Sequence, residues 1–289
     1  MIVKPKELVF EVSALYEHGV ATGMSTGWDN LDDYFTVNMG QFTTITGLPS
    51  HGKSEWLDAL CVNLAKKNNA LVCMFSPENH PVEMHAMKIM QKWAGRRFFG
   101  DDKMSFDDML ANLEEMSQCF AFIKPEEDQL TPIDIVNEAI DYFNTNAFNR
   151  PKILVIDPWN EMDHSRPKES GLSETEYISL VLSQLRKAAR EIQCHIFLVA
   201  HPTKLRKDHN GNYPVPTPYD IAGSAHFYNK TDNAIAIYRD ILNEPEKTMV
   251  HIQKVRFNTT GSVGVVSLYY DYNTTCYVSK ETFWNSIGV

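Results

Sequence analysis

GLPSHGKS, residues Gly47 to Ser54, constrains this chain more than any other stretch. It lies between an apolar run, QFTTITG, and a helix-like run, EWLDALCVNLAKK. The spacing G-x-x-x-x-G-K-S leaves successive backbone N–H groups free to curl around a polyphosphate. Lys53 then reaches the terminal phosphates, and Ser54 offers a hydroxyl to Mg²⁺. Four such fixed positions arise by chance in roughly one chain in a hundred of this length. A strand before the loop and a helix opening at Lys53 narrow that further, against the plain alternative of a glycine turn with a surface lysine. Gly47, Gly52, Lys53 and Ser54 are therefore assigned to nucleotide and, for Ser54, metal.

The rest of the chain reads as the scaffold such a loop requires. Strand-like QFTTITG, ALVCMFS, CFAFIK, KILVID and CHIFLVAH alternate with helical EWLDALCVNLAKK, PVEMHAMKIMQKWAG, SFDDMLANLEEM, TPIDIVNEAIDYF and ETEYISLVLSQLRKAAREI. That order predicts an α/β fold with a mainly parallel sheet flanked by helices on both faces, and ligands at the carboxyl ends of its strands. From Asn233 onward NAIAIYRD, KTMVHIQKVRF and GVVSLYYDY, joined by the turns NEPE and NTTG, predict an antiparallel extension. Ahead of the core, Pro5 to His18 carries Leu8, Val12 and Leu15 at helical spacing, with Gly19 as the stop. Two long polar segments, NEMDHSRPKESGLS and HPTKLRKDHNGNYPVPTPYD, leave the same sheet edge as the phosphate loop, and loops of that length are functional or mobile.

Composition fits one large ordered domain: 289 residues, 43% apolar and 22% charged. The formal net charge of −10 argues against a broadly basic nucleic-acid coat, while leaving room for a locally basic channel. Cys61, Cys73, Cys119, Cys194 and Cys276 are scattered, with no C-x-x-C pair, so they read as reduced core residues rather than a zinc site. MIVKPKELVFEV lacks the apolar centre of a signal peptide, and no run approaches a membrane span. A cytoplasmic, intracellular location is expected.

A phosphate loop needs an acidic partner at the end of a buried parallel strand, where it holds Mg²⁺ through water beside Ser54. KILVID ends in Asp157 and meets that need. Hydrolysis also needs a group that orients or deprotonates the attacking water. Glu78, in FSPEN, ends the strand after the phosphate-loop helix; Glu161 is the rival candidate.

The ordered set GMSTGWDNLDDYF, GLPSHGKS, FSPEN, LVIDPWNEM, FLVAHPTK, DIAGSAHFYNKTDN and QKVRFNTTG resembles the helicase domain of RecA-like hexameric replicative DNA helicases. This group contains DnaB, Twinkle and phage primase-helicases; the chain looks closest to the Twinkle and phage branch, from Gly19 to Tyr272. The resemblance implies a RecA-like P-loop ATPase at residues 19–289, preceded by a linker helix at 1–18 that packs on an adjacent subunit. It implies ATP or another nucleoside triphosphate with Mg²⁺, hydrolysis stimulated by single-stranded DNA, assembly of this chain into a homo-oligomeric ring, a hexamer, and primase or polymerase partners.

Residue by residue, the resemblance makes Glu78 the catalytic glutamate, Asp157 the Walker B aspartate and His201 the γ-phosphate sensor. It makes Lys254 and Arg256 basic residues that reach a neighbouring subunit's nucleotide. Lys204, Arg206 and Lys207 fall in the loop that lines the DNA channel. Pro158-Trp159 is bulkier than the family pattern, and HFYNK holds no arginine at the channel-facing stretch, which bears on the DNA contacts. The chain itself carries none of the primase, zinc-binding or other amino-terminal domains that many relatives have, so an excised domain or a helicase-only form is expected. Outside the helicase reading stand a recombinase, a regulatory RecA-like ATPase acting through protein partners, and a small-molecule phosphoryl-transfer enzyme.

Overall fold

Runs of apolar residues become strands where both faces of the backbone are covered. The computed structural model describes residues 2–20, 22–124, 130–164, 171–209, 211, 213–223 and 225–286. Residues 165–170 of the first long polar segment, Asn210 and Asn212 of the second, and Ser224 of DIAGSAHFYNKTDN lie outside them, as do the ends of the two expected domain ranges. The strands are β1 (Phe42–Thr46), β2 (Leu71–Phe75), β3 (Phe120–Phe122), β4 (Lys152–Ile156), β5 (Cys194–Val199), β6 (Asn233–Arg239), β7 (Lys247–Val255), β8 (Gly264–Asp271) and β9 (Cys276–Val278). They form one sheet in the order β3-β2-β4-β5-β1-β6-β7-β8-β9.

The expected α/β architecture is present, with one correction. β6 pairs parallel with β1, and the antiparallel part begins only at β7. NAIAI is buried at all five positions, as an interior strand of a parallel sheet requires, and the chain reverses only after β6.

Side-chain alternation sorts the two cores. Ile153 and Val155 of β4 join one cluster, Leu154 and Ile156 the other. The first is covered by α2 (Asp29–Asp32), α3 (Lys53–Asn68), α4 (Val82–Ala94) and α5 (Phe106–Ser117), through residues such as Leu31, Trp56, Ile89 and Met116. The second is covered by α6 (Pro132–Asn146), α7 (Glu174–Glu191) and α8 (His226–Lys230), through Phe143, Leu182 and Phe227. Capping boxes start α5, α6 and α7: Ser105 with Asp108, Thr131 with Asp134, Ser173 with Glu176. A short α9 (Lys280–Ser286) follows β9.

The amino-terminal helix forms as a 3₁₀ turn at Pro5–Leu8 continued by α1 (Val9–His18). Gly19 ends it at φ +74°, a left-handed conformation that glycine adopts without Cβ strain, and its N–H bonds the Leu15 carbonyl. No residue of the turn or of α1 is buried, so this helix covers none of its own core. Among the described residues no helix is long and apolar enough to cross a membrane. Cys61, Cys73, Cys119 and Cys194 are free and buried, and Cys276 is free and half-buried, in line with a reduced core role.

Candidate nucleotide-binding site

β1 delivers the chain to Gly47 at the carboxyl edge of the sheet, and α3 leaves from Lys53. Two glycines fit the loop to its surroundings. A Cβ on Gly47 would lie 2.5 Å from the Ile237 carbonyl oxygen of β6, and Gly52 sits at φ +86°. β6 also props the loop from the side: the Arg239 N–H donates to His51 Nδ1 at 3.1 Å, and the Arg239 guanidinium to the Ser50 carbonyl at 3.3 Å.

Lys53 is buried and turned onto its own loop, Nζ donating to the Gly47 and Leu48 carbonyls at 2.9 and 3.0 Å. Burial lowers its pKa, opposed by the charges of Asp157 and Glu78. The next residues brace the first turn of α3. Glu55 accepts from the Tyr270 hydroxyl of β8 at 3.1 Å and pairs with Lys92 of α4.

Asp157 follows β4 and is buried behind Ser54 and Lys53. Burial drives its pKa up to about 6; the Ser54 hydroxyl and Lys53 favour the charged form, while Asp58 and Glu78 oppose it. Its Oδ1 is buried with no hydrogen-bond partner among the described residues. A buried carboxylate oxygen left unpaired beside a hydroxyl is a costly arrangement without a cation, and it fits a hydrated Mg²⁺ shared with Ser54. Pro158-Trp159, bulkier than the family pattern, turns away from this site. Trp159 is buried, its ring 4.4 Å from His164 and 5.4 Å from Phe227 of α8.

Glu78, beyond the end of β2, faces His201, beyond the end of β5, with Oε1 3.4 Å from Nε2. Both line an open cleft of about 810 Å³ together with Gly52, Lys53 and Ser54. Glu161, in the 3₁₀ turn at Trp159–Glu161, is exposed and does not line it. The far wall is formed by residues that no sequence motif marks: Met87 and Gln91 of α4, Arg239, and Tyr270, Tyr272 and Tyr277 of the antiparallel hairpins. No motif spacing marks these side chains, because tertiary packing brings them in: α4, the end of β6 and the β8–β9 hairpin all meet at the phosphate loop.

Lys204, Arg206 and Lys207 are exposed, starting three residues after His201. Their loop is pinched at its base, where the Thr203 N–H donates to the Asp220 carbonyl at 2.7 Å and Pro202 bridges to Ile221. Lys207 Nζ lies 5.0 Å over the Tyr213 ring. The pinch leaves a cationic excursion tied directly to a cleft residue.

Lys254 and Arg256 stand apart from all of this, and neither lines the cleft. β7 runs antiparallel to β6, with Val255 opposite Asn233, so its end lies at the starting edge of the parallel strands. Lys254 Nζ donates to the Tyr228 and Thr231 carbonyls at 2.6 and 2.8 Å. Arg256 Nη1 pairs with Asp232 Oδ1 at 3.0 Å. The phosphate loop is at the other end of β1, roughly 16 Å away at about 3.3 Å per strand residue.

Comparison with known proteins agrees with this fold. The model of the DnaB-like helicase C-terminal domain matches residues 23–279. The Twinkle homolog protein, chloroplastic/mitochondrial, of Arabidopsis thaliana is 36% identical over 284 residues, which are 94% of this chain and 39% of that protein. The chain thus spans about two-fifths of that relative's length. Among solved structures, the ATPase domain of G40P shares the fold at a TM-score of 0.77 and 21% identity, over 96% of this chain and 99% of that one. A DnaB-like replicative helicase, described with its interactions with primase, has a TM-score of 0.76 at 20% identity, over 96% of this chain and 68% of that one.

Proposed function

The chain belongs to the family of DnaB-like helicase C-terminal domains, and on that footing we propose that it is the motor of a ring-forming replicative DNA helicase. Nucleoside triphosphate hydrolysis, stimulated by single-stranded DNA, drives translocation along one strand and parts the duplex. The observation that carries this reading is the division of the chemistry between two sheet edges. Gly47, Gly52, Lys53, Ser54, Asp157, Glu78 and His201 gather at the carboxyl edge, while Lys254 and Arg256 lie at the opposite one. A nucleotide in the cleft is beyond the reach of its own chain's Arg256, so a head-to-tail neighbour is the natural donor. Repeated head-to-tail contact closes a ring, in this reading a hexamer.

In the proposed cycle ATP or another triphosphate lies along the loop, with Lys53 exchanging the Gly47 and Leu48 carbonyls for phosphate oxygens. Ser54 and Asp157 would hold Mg²⁺, which when bound neutralises phosphate charge. Glu78 orients and deprotonates the attacking water. His201, in contact with Glu78, senses the terminal phosphate and passes the change to the loop carrying Lys204, Arg206 and Lys207, which grips the DNA backbone. Arg256 and Lys254 of the neighbour stabilise the transferring phosphoryl charge. Hydrolysis of this kind is mostly positioning and charge stabilisation, so subunit contact sets the rate. α1, exposed along its whole length, packs on the adjacent subunit. A primase or polymerase partner belongs to the same reading, since a structural relative is described with its interactions with primase.

Family membership favours this over a recombinase or a regulatory ATPase. Hydrolysis measured with and without single-stranded DNA, alongside unwinding of a forked duplex, tests it. Stimulated hydrolysis with unwinding is expected. A rate indifferent to DNA with no unwinding would point to a regulatory ATPase, and strand exchange without unwinding to a recombinase.

A further inference from the structure

Asp232 carries an unusual burden. Its side chain is 1% exposed, and three guanidinium groups converge on a single oxygen, Oδ1: Arg256 at 3.0 Å, Arg186 at 3.2 Å and Arg190 at 3.6 Å. The other oxygen, Oδ2, accepts the Phe42 N–H at 3.2 Å, and the Asp232 N–H donates to the Phe42 carbonyl, so the carboxylate is fixed to the start of β1. One carboxylate oxygen offers two lone pairs and cannot accept well from three donors. Arg186 is the loser: its Nε is buried and near Oδ1, yet it makes no hydrogen bond among the described residues. Arg190 is the more exposed at 52% against 41% for Arg256, but it is anchored within α7, as is Arg186; Arg256 lies just past the end of β7 and is the member of the three placed to swing toward a neighbour.

The geometry points to Asp232 as the residue that parks Arg256 within its own protomer and releases it to the neighbouring nucleotide, with Arg186 as the replacement. When Arg256 departs, the Arg186 Nε–H turns onto the vacated lone pair. The carboxylate thus stays compensated by Arg186 and Arg190, both from α7, and departure leaves no lone buried charge. Asp232 is a positioning residue in this account, acting on the phosphoryl centre only through Arg256. The inference rests on the reading of Arg256 as the group donated in trans.

Two variants of the assembled protein should move its DNA-independent hydrolysis in opposite directions. Asp232→Asn keeps an acceptor for the Phe42 N–H but weakens the hold on Arg256, so the unstimulated rate should rise about two- to fivefold, the range of a partly exposed ion pair. Arg186→Gln removes the replacement and tightens the hold, so the rate should fall by a similar factor. Added to Asp232→Asn, Arg256→Ala should abolish the gain. If both single variants are unchanged, or both are slowed alike with oligomer mass and nucleotide affinity intact, the parking role is wrong while the trans reading stands. If Arg256→Ala alone turns over at the wild-type rate, the trans reading itself falls. Should Asp232→Asn fail to fold, a rate unchanged in Arg186→Gln is enough to overturn the proposal.

Discussion

Lys53, Ser54 and Asp157 are readable from sequence as candidates because each occupies a position that the proposed phosphate and metal chemistry would dictate locally: a loop spacing, a helix start, a strand end. Their strongest test is at the same scale. Lys53→Ala should abolish hydrolysis, since among the described residues the other lysine and arginine lining the cleft, Lys88 and Arg239, are not buried in the phosphate loop as Lys53 is, and retained turnover in a coupled phosphate-release assay would contradict the loop's role. Arg256→Ala should lower the hydrolysis rate by on the order of 10³, the scale of a finger supplied in trans, while nucleotide affinity by equilibrium binding stays near wild type. Glu78 and Glu161 were not separable on spacing; only the folded chain puts Glu78 in the cleft and leaves Glu161 outside it. The tyrosine wall was invisible for a different reason. Tyr270 and Tyr277 belong to strands whose own pattern is only that of a sheet and Tyr272 to the turn between them, and their place on the cleft follows from contacts some 200 residues along the chain.

Elements with strong periodicity and local caps were legible, and those that depend on tertiary contact were not. α6 announces itself by Thr131, Pro132 and Asp134, but α2, α8 and β9 are four, five and three residues long, too short for any period to emerge. The direction of β6 was misread because the run NAIAI says that both faces are covered, not which neighbour it joins. Within the sheet, His195 of β5 links β1 to the turn before it. Its Nδ1–H donates to the Asn38 carbonyl at 2.7 Å, and Nε2 accepts from the Thr43 hydroxyl at 2.9 Å. Burial lowers its pKa to about 4, against the Asn38 bond. The unfolded chain therefore binds a proton that the folded chain refuses between about pH 6.5 and 4, and stability should fall as pH falls through that window. Denaturant titration should show wild type losing roughly 2 kcal/mol from this group between pH 7 and 5, a loss absent from His195→Gln. Equal slopes for the two would contradict it. α1 gives the complementary case: since none of it is buried, deleting residues 1–18 should leave the melting temperature unchanged and abolish assembly by light scattering. A destabilised monomer, or an intact ring, would count against its role between subunits.

At the scale of the molecule, an acidic chain of net charge −10 is asked to hold a polyanion. The proposed resolution is local: Lys204, Arg206 and Lys207 on the exposed outgoing arm of a loop closed at its base by Thr203 and Asp220. Single-stranded DNA affinity should then fall with salt at a log–log slope of about −0.7 per phosphate neutralised, and replacing the three residues by alanine should flatten it. A flat wild-type dependence would exclude a cationic channel. Neither composition nor any single motif could show that Lys254 and Arg256 sit on the sheet edge opposite the phosphate loop, because that depends on β7 running antiparallel beside β6.

The central claim is that each working site takes Lys53 from one copy and Arg256 from the next. Mixing Lys53→Ala with Arg256→Ala subunits tests it directly. Each alone should be inactive, whereas in rings assembled at random from equal amounts about a quarter of the interfaces regain both residues, so hydrolysis should return. A mixture as inactive as its components, under conditions where mixed rings are shown to form, would contradict the account.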